Sequence, residues 1–180
     1  MLMKFIAAGV ASAAFTLTAS ADIYLKLEGE IAGSATEKGY EQWIELTSFG
    51  EGTSRPVSSS TSARDVSRPI GSNVEATKML DTASVDLRMA LLQGQVFPSA
   101  EIVVTSTGPR GETMAMYTVK MKNVRVASMS ASSDGDMVEE NLSLAFQTIG
   151  WATNTPDARG GITSKPMKGW NFQSNRAETP

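Results

Sequence analysis

A mainly β domain with one helix is predicted by three observations. Most apolar residues alternate with polar ones at period two, turn-forming Gly, Pro, Asp and Asn residues punctuate those runs, and one stretch carries helical spacing. The alternation starts at Asp22. In IYLKLE, Ile23, Leu25 and Leu27 share a face and Tyr24, Lys26 and Glu28 share the other; QWIELT repeats this with Ile44 and Leu46 against Trp43 and Glu45. Strands with one dry and one wet face read this way because successive side chains leave opposite sides of the pleat. The intervening GEIAGSATEKGY carries Gly29, Gly33 and Gly39 and makes the pair a hairpin with a long turn.

SAEIVVTST and ETMAMYTVKMKNVRVAS form a second hairpin about Gly108-Pro109-Arg110-Gly111, where proline and glycine supply the turn dihedrals. The apolar parity then changes within one strand, from Tyr117, Val119 and Met121 to Val124 and Val126. A bulge near Asn123, or a strand that bends from one sheet into another, accounts for the change. Asp134-Gly135 turns the chain into Val138, Leu142, Leu144 and Phe146, alternating with Glu139, Asn141, Ser143 and Gln147. The helix is expected in DTASVDLRMALLQGQ: Ala83, Leu87, Ala90 and Leu91 share a helical face, Asp81 or Ser84 offers a capping oxygen, and Gly94 stops it. Gly50 to Asn73 is rich in serine, carries Arg55, Arg64 and Arg68, and reads as a long solvated loop able to dock on a neighbour. The tail from Thr153 reads as loop until GWNF, where Trp170 and Phe172 anchor a last strand.

Met1 to Ala21 has the layout of a secretory signal: Lys4, the apolar run FIAAGVASAAFTLTA, and Ala19-Ser20-Ala21 as a cleavage site. Residues 1–21 are therefore expected to be a signal peptide and 22–180 a single domain. The apolar run is short for a membrane span. The 16 basic residues are outnumbered by 19 acidic ones, and removal of the leader takes away only Lys4, so no basic footprint for nucleic acid or an anionic membrane follows. Lys120, Lys122 and Arg125 interrupt the lipid-facing band that an outer-membrane barrel would need.

The chain has no cysteine and no histidine, which removes disulfides, thiolate sites and any Ser-His-Asp triad. Phosphate-loop and dinucleotide fingerprints are missing as well. Only a carboxylate pair or a Ser-Lys arrangement survives for catalysis, and no catalytic, cofactor-binding or metal residue is assigned. Asp134, Asp136, Glu139 and Glu140 lack the spacing of a calcium loop. Tyr24, Tyr40 and Trp43 are expected to pack against structure rather than to form a sugar-stacking platform.

Three stretches, DIYLKLEGEIAGSATEKGYEQWIELTSFG, TKMLDTASVDLRMALLQGQVFPSAEIVV and GWNF, together resemble the Hcp family, the haemolysin-coregulated tube proteins of type VI secretion systems. The resemblance implies two antiparallel sheets forming a tight β-barrel, a flanking helix over 82–93, and a long strand over 112–128. It implies subunits assembling as a homohexameric ring, rings stacking into a tube behind a spike protein, propulsion by a contractile sheath, and effector proteins carried in the channel. A structural role of this kind implies no enzyme activity and no cofactor. The 50–73 segment becomes an arm reaching a neighbouring ring, with Arg55, Arg64 and Arg68 as its ring-stacking charges. The leader departs from the family: a processed chain is secreted or periplasmic, an unprocessed one assembles in the cytoplasm. The second reading is an exported β domain acting as a monomeric small-ligand or glycan-binding module, which requires a concave pocket.

Overall fold

A computed structural model describes residues 21–57, 67–108, 111–156 and 162–180. Residues 1–20 of the expected leader, Arg64 and the Pro109-Arg110 pair of the second turn lie outside the described residues. In chain order the elements are β1 (Ile23–Leu27), β2 (Ile44–Leu46), β3 (Ser48–Gly50), β4 (Thr53–Ser54), β5 (Ile70–Gly71), β6 (Val74–Met79), α1 (Ser84–Gln93), β7 (Phe97–Thr107), β8 (Thr113–Ser133), β9 (Val138–Ala145), β10 (Thr148–Pro156), β11 (Ile162–Asn171) and β12 (Arg176–Ala177).

All three expected hairpins are present: β1 pairs antiparallel with β2, β7 with β8, and β8 with β9 about the Asp134-Gly135 turn. One sheet has the order β12-β11-β10-β8-β7-β1-β2, and a second is built from β3, β6, β9 and the far half of β8. β8 is the strand that changes sheets. Up to Lys122 it pairs with β10, and from Arg125 onward it pairs with β9. Asn123 sits at the bend with φ 52°, a left-handed conformation that asparagine tolerates better than most residues. The change of apolar parity is thus a change of sheet. A second corner falls at Thr47 between β2 and β3, where the Thr47 N–H donates to the Thr77 carbonyl at 2.8 Å. Two bent chains carry the backbone from the first sheet to the second and set the two sheets face to face.

Period-two alternation places Leu25, Leu27, Ile44, Ile102, Val119 and Met121 from the first sheet against Val74, Ala76, Val126, Leu142 and Leu144 from the second. Removing each large apolar side chain from water contributes about 1.5–3 kcal/mol. Helix α1 lies across this core with Leu87 and Ala90 buried, and Gly94 ends it at φ 65°. The helix begins at Ser84, two residues later than the resemblance implied, and Ser84 is no cap: its hydroxyl donates to Glu140 at 2.6 Å. Asp81 serves the turn before the helix by accepting the Ala83 N–H at 2.9 Å.

Two loop expectations are corrected. The Gly50 to Asn73 segment leaves and re-enters the barrel at the β3–β6 pair and contains a small ribbon of β4 on β5. The tail is a long hairpin, β10 with β11, rather than loop up to GWNF. Most of β11 is exposed, so it has no apolar alternation to reveal it; backbone pairing with β10 holds it as a strand.

Candidate assembly interface

Arg55 directly follows β4, Arg68 lies shortly before β5, and both are exposed. The structure therefore brings these two arginines onto one ribbon; Arg64 is outside the described residues. The ribbon is closed at its base by Ser72, whose N–H and hydroxyl both donate to the Gly52 carbonyl at 2.9 Å.

Two contacts fix the base of this arm to the barrel. Glu51 Oε1 accepts from the Tyr117 hydroxyl and from Trp151 Nε1, each at 3.1 Å. One carboxylate thereby ties the outgoing chain to β8 and β10. Burial, then the Glu51 charge and its hydrogen bond, push the Tyr117 hydroxyl well above its ordinary pKa. On the returning chain, Gly71 lies so close to Phe172 that a Cβ there would stand 2.8 Å from ring carbons. Phe172 packs on Phe146 at a ring separation of 5.9 Å. Nothing in the sequence marked Glu51, a carboxylate between two glycines at the start of a Ser-rich stretch. Glu51→Ala leaves two partly buried donors unpaired and is expected to destabilise the domain by about 1–3 kcal/mol. Glu51→Gln keeps an acceptor oxygen and is expected to recover most of the loss in urea titrations; equal stability of the alanine variant and the parent would count against the clamp.

The other candidate chemistries resolve as packing. Lys78 and Ser84 do meet, Nζ to Oγ at 2.9 Å, but Lys78 also pairs with Asp81 at 2.8 Å and Glu140 at 2.9 Å. The Ser84 hydroxyl in turn donates to Glu140 at 2.6 Å, so serine and lysine both serve one ion-pair cluster rather than forming a Ser-Lys dyad. Glu140 points inward to this cluster, away from Asp134, Asp136 and Glu139, which are exposed, so the four acids do not converge. Tyr24 stacks on Tyr40 at 4.6 Å, and Tyr40 meets the edge of Trp43 at 5.2 Å, so the aromatics cover one another. Burial, then Asp22, Glu37 and Glu45, push the Tyr24 hydroxyl up to about 12. A concavity of about 460 Å³ lies at the Asn123 corner, lined in part by Val96, Arg125 and Phe172. Its amides are already engaged, Asn123 with Gln147 and Gln147 with Gln173.

Among the described residues, exposed large apolar side chains other than Ile162 on β11 lie in three places: Val85, Met89, Leu92 and Val96 on and just beyond α1, Val57 and Ile70 on the arm, and Met79, Leu80 and Met137 beside the β8–β9 turn. A two-sheet barrel with a braced arm and several wet apolar patches is the form of a subunit that works by contact with other proteins. The family described as "Type VI secretion system effector, Hcp" matches residues 24–152, and the chain belongs to it. Hcp is a structural family of secreted type VI secretion tube proteins, with hexameric rings known for the fold. Protein hcp1 of Pseudomonas aeruginosa is 26% identical over 159 residues, covering 86% of this chain and 96% of the relative. A solved structure described as a type six secretion system protein superposes with a TM-score of 0.81 at 27% identity, covering 88% of this chain and all of the other. Hcp1 from Salmonella typhimurium superposes at 0.70 with 21% identity, covering 88% of this chain and 99% of the other, a likeness of fold.

Proposed function

We propose that this chain is the structural subunit of a type VI secretion inner tube, a homohexameric ring that stacks on further rings and has no catalytic role of its own. The observation that carries this reading is the match to the Hcp family over most of the described domain. The braced arm and the wet apolar patches support it, since a permanent monomer would leave all of them in water. In this role the tube sits behind a spike protein, is driven by a contractile sheath and carries effector proteins in its channel. Residues 1–21 act as a cleavable leader that sends the chain to the periplasm or medium; if the leader is kept, rings assemble in the cytoplasm.

Native mass spectrometry of protein recovered from its own cells tests the assembly and the leader together. A six-fold mass with subunits starting at Asp22 is expected; a processed monomer would overturn the tube reading in favour of a binding module. Arg55, Arg64 and Arg68 act in ring stacking. Reversing all three to Glu is expected to shorten or abolish stacks seen by electron microscopy while hexamers and circular dichroism stay unchanged, and unaltered stacks would refute their role.

A further inference from the structure

The second sheet has two dissimilar ends. β6 and β9 run antiparallel, with Val74 opposite Leu144 at one end and Met79 opposite Glu139 at the other. The arm joins at the Val74 end, just after β5. About 17 Å away along β6, the β8–β9 turn and the chain leaving β6 surround a groove. Its lining is Met79, Ser132, Ser133, Asp134, Met137 and Glu139, and its volume is about 320 Å³. Met137 is 55% exposed. Leu80, 58% exposed, is held beside the turn by its N–H bond to the Val138 carbonyl at 3.0 Å. Two carboxylates, Asp134 and Glu139, rim the apolar floor, and no cation is among the described lining residues.

The arm carries the complementary set. Val57 is 91% exposed and Ile70 54% exposed, and they lie beside the exposed Arg55 and Arg68. Among the described residues neither arginine pairs with a carboxylate.

We infer that the groove between Met79 and the β8–β9 turn receives the arm of a second copy of this chain in the adjoining ring. Val57 and Ile70 pack on Met79, Leu80 and Met137, while Arg55 and Arg68 pair with Asp134 and Glu139. This rests on the stacked-ring reading above. β6 holds donor and receptor at opposite ends of one subunit, so the contact is heterologous and passes from copy to copy without closing. Such a contact yields a tube of open length rather than a pair of rings face to face. The charges set register and speed encounter, and the apolar contact supplies buried area.

The absence of native cysteine offers a direct test. Val57→Cys and Met137→Cys are introduced together, and the purified rings are oxidised mildly; a disulfide forms only where the Cα atoms approach within about 7 Å. A covalent ladder running beyond six subunits on non-reducing gels is expected, with each single variant giving dimers at most. In parallel, D134R/E139R is expected to abolish stacking of intact hexamers, and combining it with R55E/R68E to restore it. Stacked hexamers without a ladder, a ladder that ends at six, or a charge swap that fails to restore stacking each overturns the docking site. Parent protein that is only monomeric would sink the tube reading itself, and the docking site with it.

Discussion

Replacing Lys78 by Ala is expected to destabilise the domain by about 3–5 kcal/mol, because it removes the buried counter-charge that Asp81 and Glu140 share. Lys78 and Glu140 face each other across β6 and β9 at inward positions, and both are buried. Lys78 Nζ also donates to the Met79 carbonyl at 2.8 Å and to Ser84 at 2.9 Å, while Arg88 reaches the second Glu140 oxygen at 3.2 Å. The cluster therefore fastens the start of α1 to the second sheet. Glu140→Ala is expected to fall in the same range in urea titrations, and the double K78M/E140L to recover much of the loss, since an apolar pair leaves fewer charges unmatched. Two single variants within 1 kcal/mol of the parent would show the cluster to be incidental.

The same cluster sets an acid limit. Burial alone would raise the Glu140 pKa, but hydrogen bonds from Ser84 and Lys78, the Lys78 charge and Arg88 outweigh it and hold the carboxyl below its ordinary value. A carboxyl lowered by folding contributes fully above the unfolded value of about 4.3 and loses that contribution as pH falls through the folded value. Stability of the parent is therefore expected to decline in acid below about pH 4.3, and Glu140→Gln to flatten that decline.

Gly33→Ala is the second large effect, expected at about 3 kcal/mol, near the upper end of what overpacking usually costs. A Cβ at Gly33 would stand 2.2 Å from the Trp43 carbonyl oxygen and 2.6 Å from the Ile44 Cα. Both neighbours are backbone, so no side chain can swing aside; the β1–β2 loop would have to lift from β2. That movement would break the bond from the Gly33 N–H to the Gln42 carbonyl, 2.8 Å long, and disturb the Tyr24-Tyr40-Trp43 stack behind it. Gly39→Ala is the matched control, because its Cβ would meet nothing within 4 Å, although its φ of 90° carries some strain of its own. Chemical denaturation of both variants, with near-ultraviolet circular dichroism to follow the aromatic stack, separates close contact from backbone strain. A Gly33 variant no less stable than the Gly39 variant would refute the contact.

The arm shows where sequence reasoning falls short. Its length and arginines were legible, but its bracing was not, because Glu51, Tyr117 and Trp151 are 100 residues apart at their extremes and nothing in their spacing joins them. The buried Lys78–Glu140 pair left a weak trace, two charged residues at positions whose parity belongs to the dry face. A lone charge at such a position reads equally well as an irregularity until its partner strand is known.

Alternation, turn residues and the break in parity at Asn123 determined by themselves that this chain makes antiparallel strands, a helix ending at Gly94 and an irregularity in its longest strand, which the strand pairing resolves as a change of sheet. Those signals are local, written into side-chain period and backbone preference, and they survive without knowledge of partners. Tertiary structure alone decided that β10 and β11 continue the first sheet, that Glu51 braces the arm, and that arm and groove occupy opposite ends of β6. Each of those depends on which distant backbone groups find one another, and hydrogen-bond pairing between strands carries little trace in the residues that do the pairing.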